Sequence, residues 1–170
     1  MQKPLKGSHA QITAWLIISI SIWIAFLRSQ DLLEENPVSP YGEWFSEEAA
    51  MWFDYIEKKN EMLYVSSIIQ DEIKNFDMEN GTNLVGPYFE KCGDFYVVDK
   101  LKVIEPTVNE RGLARSNNRV YKIGYDDCLQ GAMIKNNNLI GVSADKHWVK
   151  LSRFENFIFY FVTEIHNFSF

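Results

Sequence analysis

Ala10 to Leu27 reads Ala-Gln-Ile-Thr-Ala-Trp-Leu-Ile-Ile-Ser-Ile-Ser-Ile-Trp-Ile-Ala-Phe-Leu, and from Gly7 to Leu27 the chain has no Asp, Glu, Lys or Arg. As a helix, this run of roughly 18 residues would extend about 27 Å against a hydrocarbon core of about 30 Å. Lys3 and Lys6 precede it, whereas after Arg28 the chain turns acidic at Asp31, Glu34 and Glu35, so the positive-inside bias predicts a cytoplasmic N-terminus. A cleaved signal peptide would have a shorter apolar region and small residues at its cleavage site. Phe26 to Gln30, Phe-Leu-Arg-Ser-Gln, offers neither. The run therefore reads as an uncleaved signal anchor over residues 10–28, behind a cytoplasmic tail at 1–9. Within it Gln11, Ala14, Ser21 and Ala25 fall within about 80° on a helix, a small-residue stripe suited to packing against another membrane helix.

Outward from the anchor, Pro37, Pro40 and Gly42 mark a linker over 29–42, and residues 43–170 read as one outer domain. The whole chain has 170 residues, 46% of them apolar, which suits a single core. Ser46-Glu47-Glu48 is a helix start, followed by Phe45, Ala49, Trp52, Phe53 and Ile56 at helical spacing. Met62 to Phe76 fits either a helix or, in its first half, a strand. Asn80-Gly81 signals a tight hairpin turn. Phe95 to Glu105 and Arg119 to Tyr125 alternate like strands, Ala132–Ile134 and Leu139–Val142 flank an Asn-rich turn, His147 to Leu151 suggests another strand, and Phe157 to Ile165 a buried strand or helix. With no long helices evident between the later strands, the expected class is α+β: one or two helices, then a mainly antiparallel sheet or partly closed barrel.

With 17 Lys plus Arg against 23 Asp plus Glu, the formal charge of −6 argues against direct nucleic-acid binding, which needs a cationic surface. Cys92 and Cys128 sit in turn-like settings, Cys92-Gly93-Asp94 and Asp126-Asp127-Cys128. In an oxidising compartment they would form a disulfide closing a loop of about 37 residues, with about 4 kcal/mol of stabilisation. Ser143, Asp145 and His147 would share one face of a strand, but alternate residues stand about 6.5 to 7 Å apart along it, too far for a triad's relay. His147 and His166 are instead candidate proton sensors. The His and Cys spacing forms no zinc pattern, so neither metal nor cofactor is expected. Trp44, Phe45, Trp52 and Phe53 crowd the domain's start, where core packing competes with a partner or a small apolar ligand.

This layout of short tail, signal anchor and acidic outer α+β domain with two cysteines resembles the small inner-membrane accessory proteins of bacterial transmembrane transcription regulators, such as the ToxS, VtrC and PsaF/MyfF groups. The resemblance implies a single-pass inner-membrane protein with a periplasmic domain. Its role would be non-enzymatic: to pair with and stabilise a membrane-bound regulator while sensing an envelope cue such as pH or bile. The alternatives are a structural subunit of a secretion or conjugation assembly, or an envelope hydrolase.

Overall fold

The apolar run divides between two elements. Leu16–Ile18 forms a strand, β1, and Ile20–Asp31 a helix, α1. In this computed structural model, which describes residues 16–31, 45–59 and 61–168, β1 is the central strand of a five-stranded, wholly parallel sheet. The other strands are β2 (Leu63–Ser66), β3 (Leu101–Ile104), β4 (Ile140–Ser143) and β5 (Phe159–Phe161), in the spatial order β3-β2-β1-β4-β5. Helices α2 (Ser46–Lys59), α3 (Ser67–Asn80), α4 (Val85–Val97), α5 (Val108–Tyr121), α6 (Tyr125–Asn136) and α7 (Lys146–Glu155) make the crossovers, and a 3-10 segment, Val162–Asn167, follows β5.

Both sheet faces are covered, which is why β1 has no polar side. Leu16 and Ile18 enter the main core with α1, α2 and residues of α3 and α4, while Ile17 packs on the opposite face with Tyr64, Ile134, Leu139 and Trp148. A central parallel strand buried on both faces is a continuous apolar run. Helix α1 is apolar all round for the same reason: every residue from Ile22 to Leu27 is buried. Trp23 lies 4.6 Å from Phe53 and 4.9 Å from Tyr88 between ring centroids, and Phe26 lies 4.3 Å from Phe53.

The membrane reading is therefore corrected. No helix among the described residues is long and apolar enough to cross a membrane, and α1 has only 12 residues. Ser21 and Ala25 of the small-residue stripe lie on α1, with Ala25 buried in the main core. Gln11 and Ala14 lie outside the described residues. Of the crowded aromatics, Trp52 and Phe53 are buried in α2 with Phe45 packed against the same core, the indole of Trp52 donates to the Val162 carbonyl at 2.8 Å, and Trp44 lies outside the described residues.

The α+β antiparallel expectation is corrected too. Helix α2 starts at Ser46, as its acids and spacing predict. The ambiguous 62–76 segment is both alternatives in series, β2 running directly into α3. Gly81 is no hairpin turn. At φ 64° it closes α3 in the left-handed conformation, its N–H bonded to the Asp77 carbonyl, a helix stop that glycine serves at low cost. Residues 95–105 are the end of α4, a turn and β3. Arg119–Tyr125 is the corner between α5 and α6, and His147–Leu151 lies in α7. Of the later helices only α6 lacks a stripe, every residue from Cys128 to Ile134 being buried, whereas the buried residues of α5 (Glu110, Ala114, Asn117) and α7 (Trp148, Leu151, Glu155) recur every three or four positions.

A Cβ built on Gly141 in β4 would stand 3.0 Å from Ile134 Cδ1 and 3.2 Å from Trp148 Cζ3, so the helices α6 and α7 approach this strand as closely as glycine permits. Gly141→Val should lower stability by about 1–3 kcal/mol through overpacking, read as an earlier urea midpoint. An unchanged midpoint would contradict this packing of the α6–α7 face.

Candidate functional site

The strand order makes β1 and β4 neighbours whose onward connections leave in opposite directions, β1 toward β2 and β4 toward β5. In open parallel sheets ligands bind outside the carboxyl ends of the strands at such a switch point. Here those ends form a row of hydroxyls. Ser66 is level with Ile104 and Ser143 with Phe161, and the register of β1 with β2 and β4 puts Ser19 beside both serines. All three are at most 1% exposed. Ser19 shares a 2.9 Å hydrogen bond with Ser21, Ser143 accepts from the Asp145 amide at 2.9 Å, and Ser66 donates to Gln130 Oε1 at 3.4 Å. The Gln130 amide nitrogen is buried without a partner among the described residues.

Carboxylates rim this floor. Asp145 caps α7, accepting from the His147 amide at 2.8 Å. Asp127 sits in the first turn of α6, where the helix dipole favours negative charge. It is brought there by a tight corner: Lys122 closes α5 at φ 58°, and the Asn118 side chain donates to the Ile123 carbonyl at 2.7 Å. Asp127 accepts from the Trp148 indole at 3.1 Å and lies 3.4 Å from His147 Nδ1, which is 3.7 Å from Asp145. One ligand atom from each of Asp127, Asp145 and His147 falls within 4.8 Å of the other two. Glu72, on α3, completes the acidic rim. Burial, then Asp126 and Asp127, pushes its carboxyl up to about 8. Burial and Asp145 raise Asp127 as well, against opposing contributions from Trp148 and His147.

Among the described residues no Lys or Arg forms an ion pair with Glu72, Asp127 or Asp145. Crowded carboxylates that lack a fixed counter-charge, with an imidazole beside them, fit a divalent cation such as Mg²⁺ or Mn²⁺.

His147 is therefore brought together with Asp145 and with Asp127, which sequence reasoning noted only as a turn residue. Ser143 is sealed beneath, and its hydroxyl is engaged by the Asp145 amide. His166 lies elsewhere, 3.2 Å from Glu48 of α2. Cys92 in α4 and Cys128 in α6 are both free and buried, one in the main core and the other in the α5–α6 cluster. Neither occupies a turn.

The fold has solved counterparts. The chain is similar to one in the crystal structure of VapBC2 from Rickettsia felis bound to a DNA fragment from their promoter, with TM-score 0.57, 16% identity, and coverage of 86% of this chain and 98% of that one. It is also similar to one in the structure of FitAcB from Neisseria gonorrhoeae, with TM-score 0.52, 13% identity, and coverage of 85% and 96%. The shared architecture is a parallel α/β sheet with helices on both faces. No protein-family model and no curated protein matches the sequence. This parallel fold, and the lack among the described residues of a helix able to cross a membrane, overturn the resemblance to ToxS, VtrC and PsaF/MyfF, and with it the envelope location, the sensing role and the membrane-regulator partner. The exclusion of nucleic acid also falls, since net charge averages over the chain and does not describe local patches.

The raised carboxyl of Glu72 has a measurable consequence. Between its ordinary 4.5 and about 8, the native protein holds a proton that the unfolded chain has released, so stability falls as pH rises through that window. Glu72→Gln removes this loss. In EDTA, the variant's Tm should gain on wild type by a few degrees between pH 5 and pH 8. A Tm difference that does not change with pH would contradict the crowding of these acids.

Proposed function

We propose that this protein is a divalent-cation-dependent phosphodiesterase acting on RNA, with Asp127, Asp145 and Glu72 as the acidic centre and His147 at its edge. The observation that carries the reading is the gathering of these side chains from α3, α6, the β4–α7 turn and α7 at the switch point, above a buried hydroxyl floor. Toxins built on this fold are usually ribonucleases, which supports RNA as the substrate class. The reading replaces the expected non-enzymatic role.

Asp127 and Asp145 would hold the cation, with His147 as a further ligand. Bound there, it supplies Lewis-acid polarisation of a phosphoryl oxygen and offsets charge developing on it. The chain's own groups do the positioning. The Trp148 indole fixes one oxygen of Asp127, and the His147 amide, in the first turn of α7, fixes Asp145. Such fixed donors keep ligands oriented without reorganisation during the reaction. Glu72, protonated near neutral pH, limits the negative charge that an incoming phosphodiester meets. Its carboxyl oxygen is also poised to exchange a proton in that range.

Purified protein should cleave single-stranded RNA with Mn²⁺ or Mg²⁺ and stop in EDTA. Asp127→Asn and Asp145→Asn should each reduce kcat/KM by at least about 100-fold, and His147→Ala by about 10-fold, with unfolding midpoints close to wild type. Equal cleavage by wild type and both Asp variants would defeat the reading.

A further inference from the structure

The chain's charge is segregated. Residues 107–155 hold 8 Lys and Arg against 5 Asp and Glu, while the remainder holds 9 against 18. Within the basic segment Glu110 and Glu155 are buried, Glu110 completing the capping box of α5 and Glu155 bonded to Asn117 and Lys135. The exposed charges of α5 and α7 are therefore all positive. Arg111, Arg115 and Arg119 fall at four-residue steps, within about 80° of one another around α5 and about 6 Å apart along it. On α7, Lys146, Lys150 and Arg153 form a second stripe at offsets of four and seven. Among the described residues none of the six forms an ion pair.

An aromatic pair joins the two helices. Tyr121, near the end of α5, stacks on Phe154 of α7, with centroids 4.5 Å apart and planes at 22°, and Phe154 is 54% exposed. Both stripes reach the acidic centre. Lys146 adjoins His147, and the end of α5 turns through 122–124 into the helix start that carries Asp127.

We infer that the α5 and α7 stripes, with the Tyr121–Phe154 pair, form the track that binds single-stranded nucleic acid and delivers its backbone to the acidic centre. Rows of exposed guanidinium and ammonium groups with an accessible aromatic face are what a flexible strand requires: phosphates meet the cations and an unstacked base meets the ring. A duplex would keep its bases from such a face. The segregation also answers an electrostatic difficulty, because an acidic centre on a chain of net charge −6 repels phosphate unless a local cationic field draws it in.

This inference rests on the phosphodiesterase reading, and binding without cation separates the two. The probe is a fluorescein-labelled 12-nucleotide single-stranded RNA, followed by anisotropy in EDTA from 50 to 200 mM salt. The proteins are full-length wild type, the triple variant Arg111→Gln, Arg115→Gln, Arg119→Gln, and the double variant Lys150→Gln, Arg153→Gln. The triple variant should bind about ten-fold or more weakly at 50 mM salt, and its slope of log K against log salt should be shallower by about 2. The double variant should show a smaller change in the same direction. With Mn²⁺, the variants' loss in kcat/KM should fall on KM. Affinity and slope equal to wild type in both variants would overturn the track, even if RNA is still cut. RNA bound through the stripes but never cut would uphold the track and defeat the phosphodiesterase. If poly-glutamate binds in place of RNA and is lost on substitution, the stripes are a protein contact and the assignment falls.

Discussion

The structure depends on burying Leu16, Ile17 and Ile18 on both faces at once. A three-residue strand with no polar side can be stable only at the centre of a sheet covered above and below. That requirement places β2 on one side of β1 and β4 on the other, with helices covering both faces of the sheet they form. The opposed exits of β1 and β4 then create the crevice at the carboxyl edge. Helix α1 follows directly and shares the constraint, with Trp23 packed against α2 and α4.

The same strand explains the chemistry of the edge. β1, β2 and β4 each run apolar until a serine, and their register aligns the three hydroxyls. The floor is thus polar but uncharged, and the negative charge comes from outside the sheet, on α3, α6 and the β4–α7 turn. Burying these carboxylates, and crowding them together, has a cost, visible in the raised Glu72 and Asp127. Structures retain such strain where a ligand relieves it, and a divalent cation is the relief that this donor set fits.

Several parts of this arrangement were legible before folding. The start of α2 at Ser46 shows in its acids and spacing, and 62–76 carries the marks of both the strand and the helix it contains. The anchor reading failed for a physical reason: a doubly buried strand followed by a fully buried helix has the same apolarity as a bilayer span, and length alone separates them poorly. The antiparallel reading failed on two counts. Helix α6, buried from Cys128 to Ile134, has no helical stripe to detect. The short windows 119–125 and 147–151 were read as strands although the buried residues of α5 and α7 recur every three or four positions along the whole helices. Two signals were present but unused: apolar triplets each closed by serine at 19, 66 and 143, and the basic bias of residues 107–155. Glu72 had no local signal, since only the packing of α3 beside α6 places it near Asp127.

The central claim is that the switch point holds a divalent cation. The most direct measurement is anomalous diffraction from crystals of the protein soaked in Mn²⁺, with data collected at the manganese edge. The account predicts a single strong peak within coordination distance of Asp127 and Asp145. No peak there at saturating Mn²⁺, or manganese bound only at other carboxylates, would contradict it.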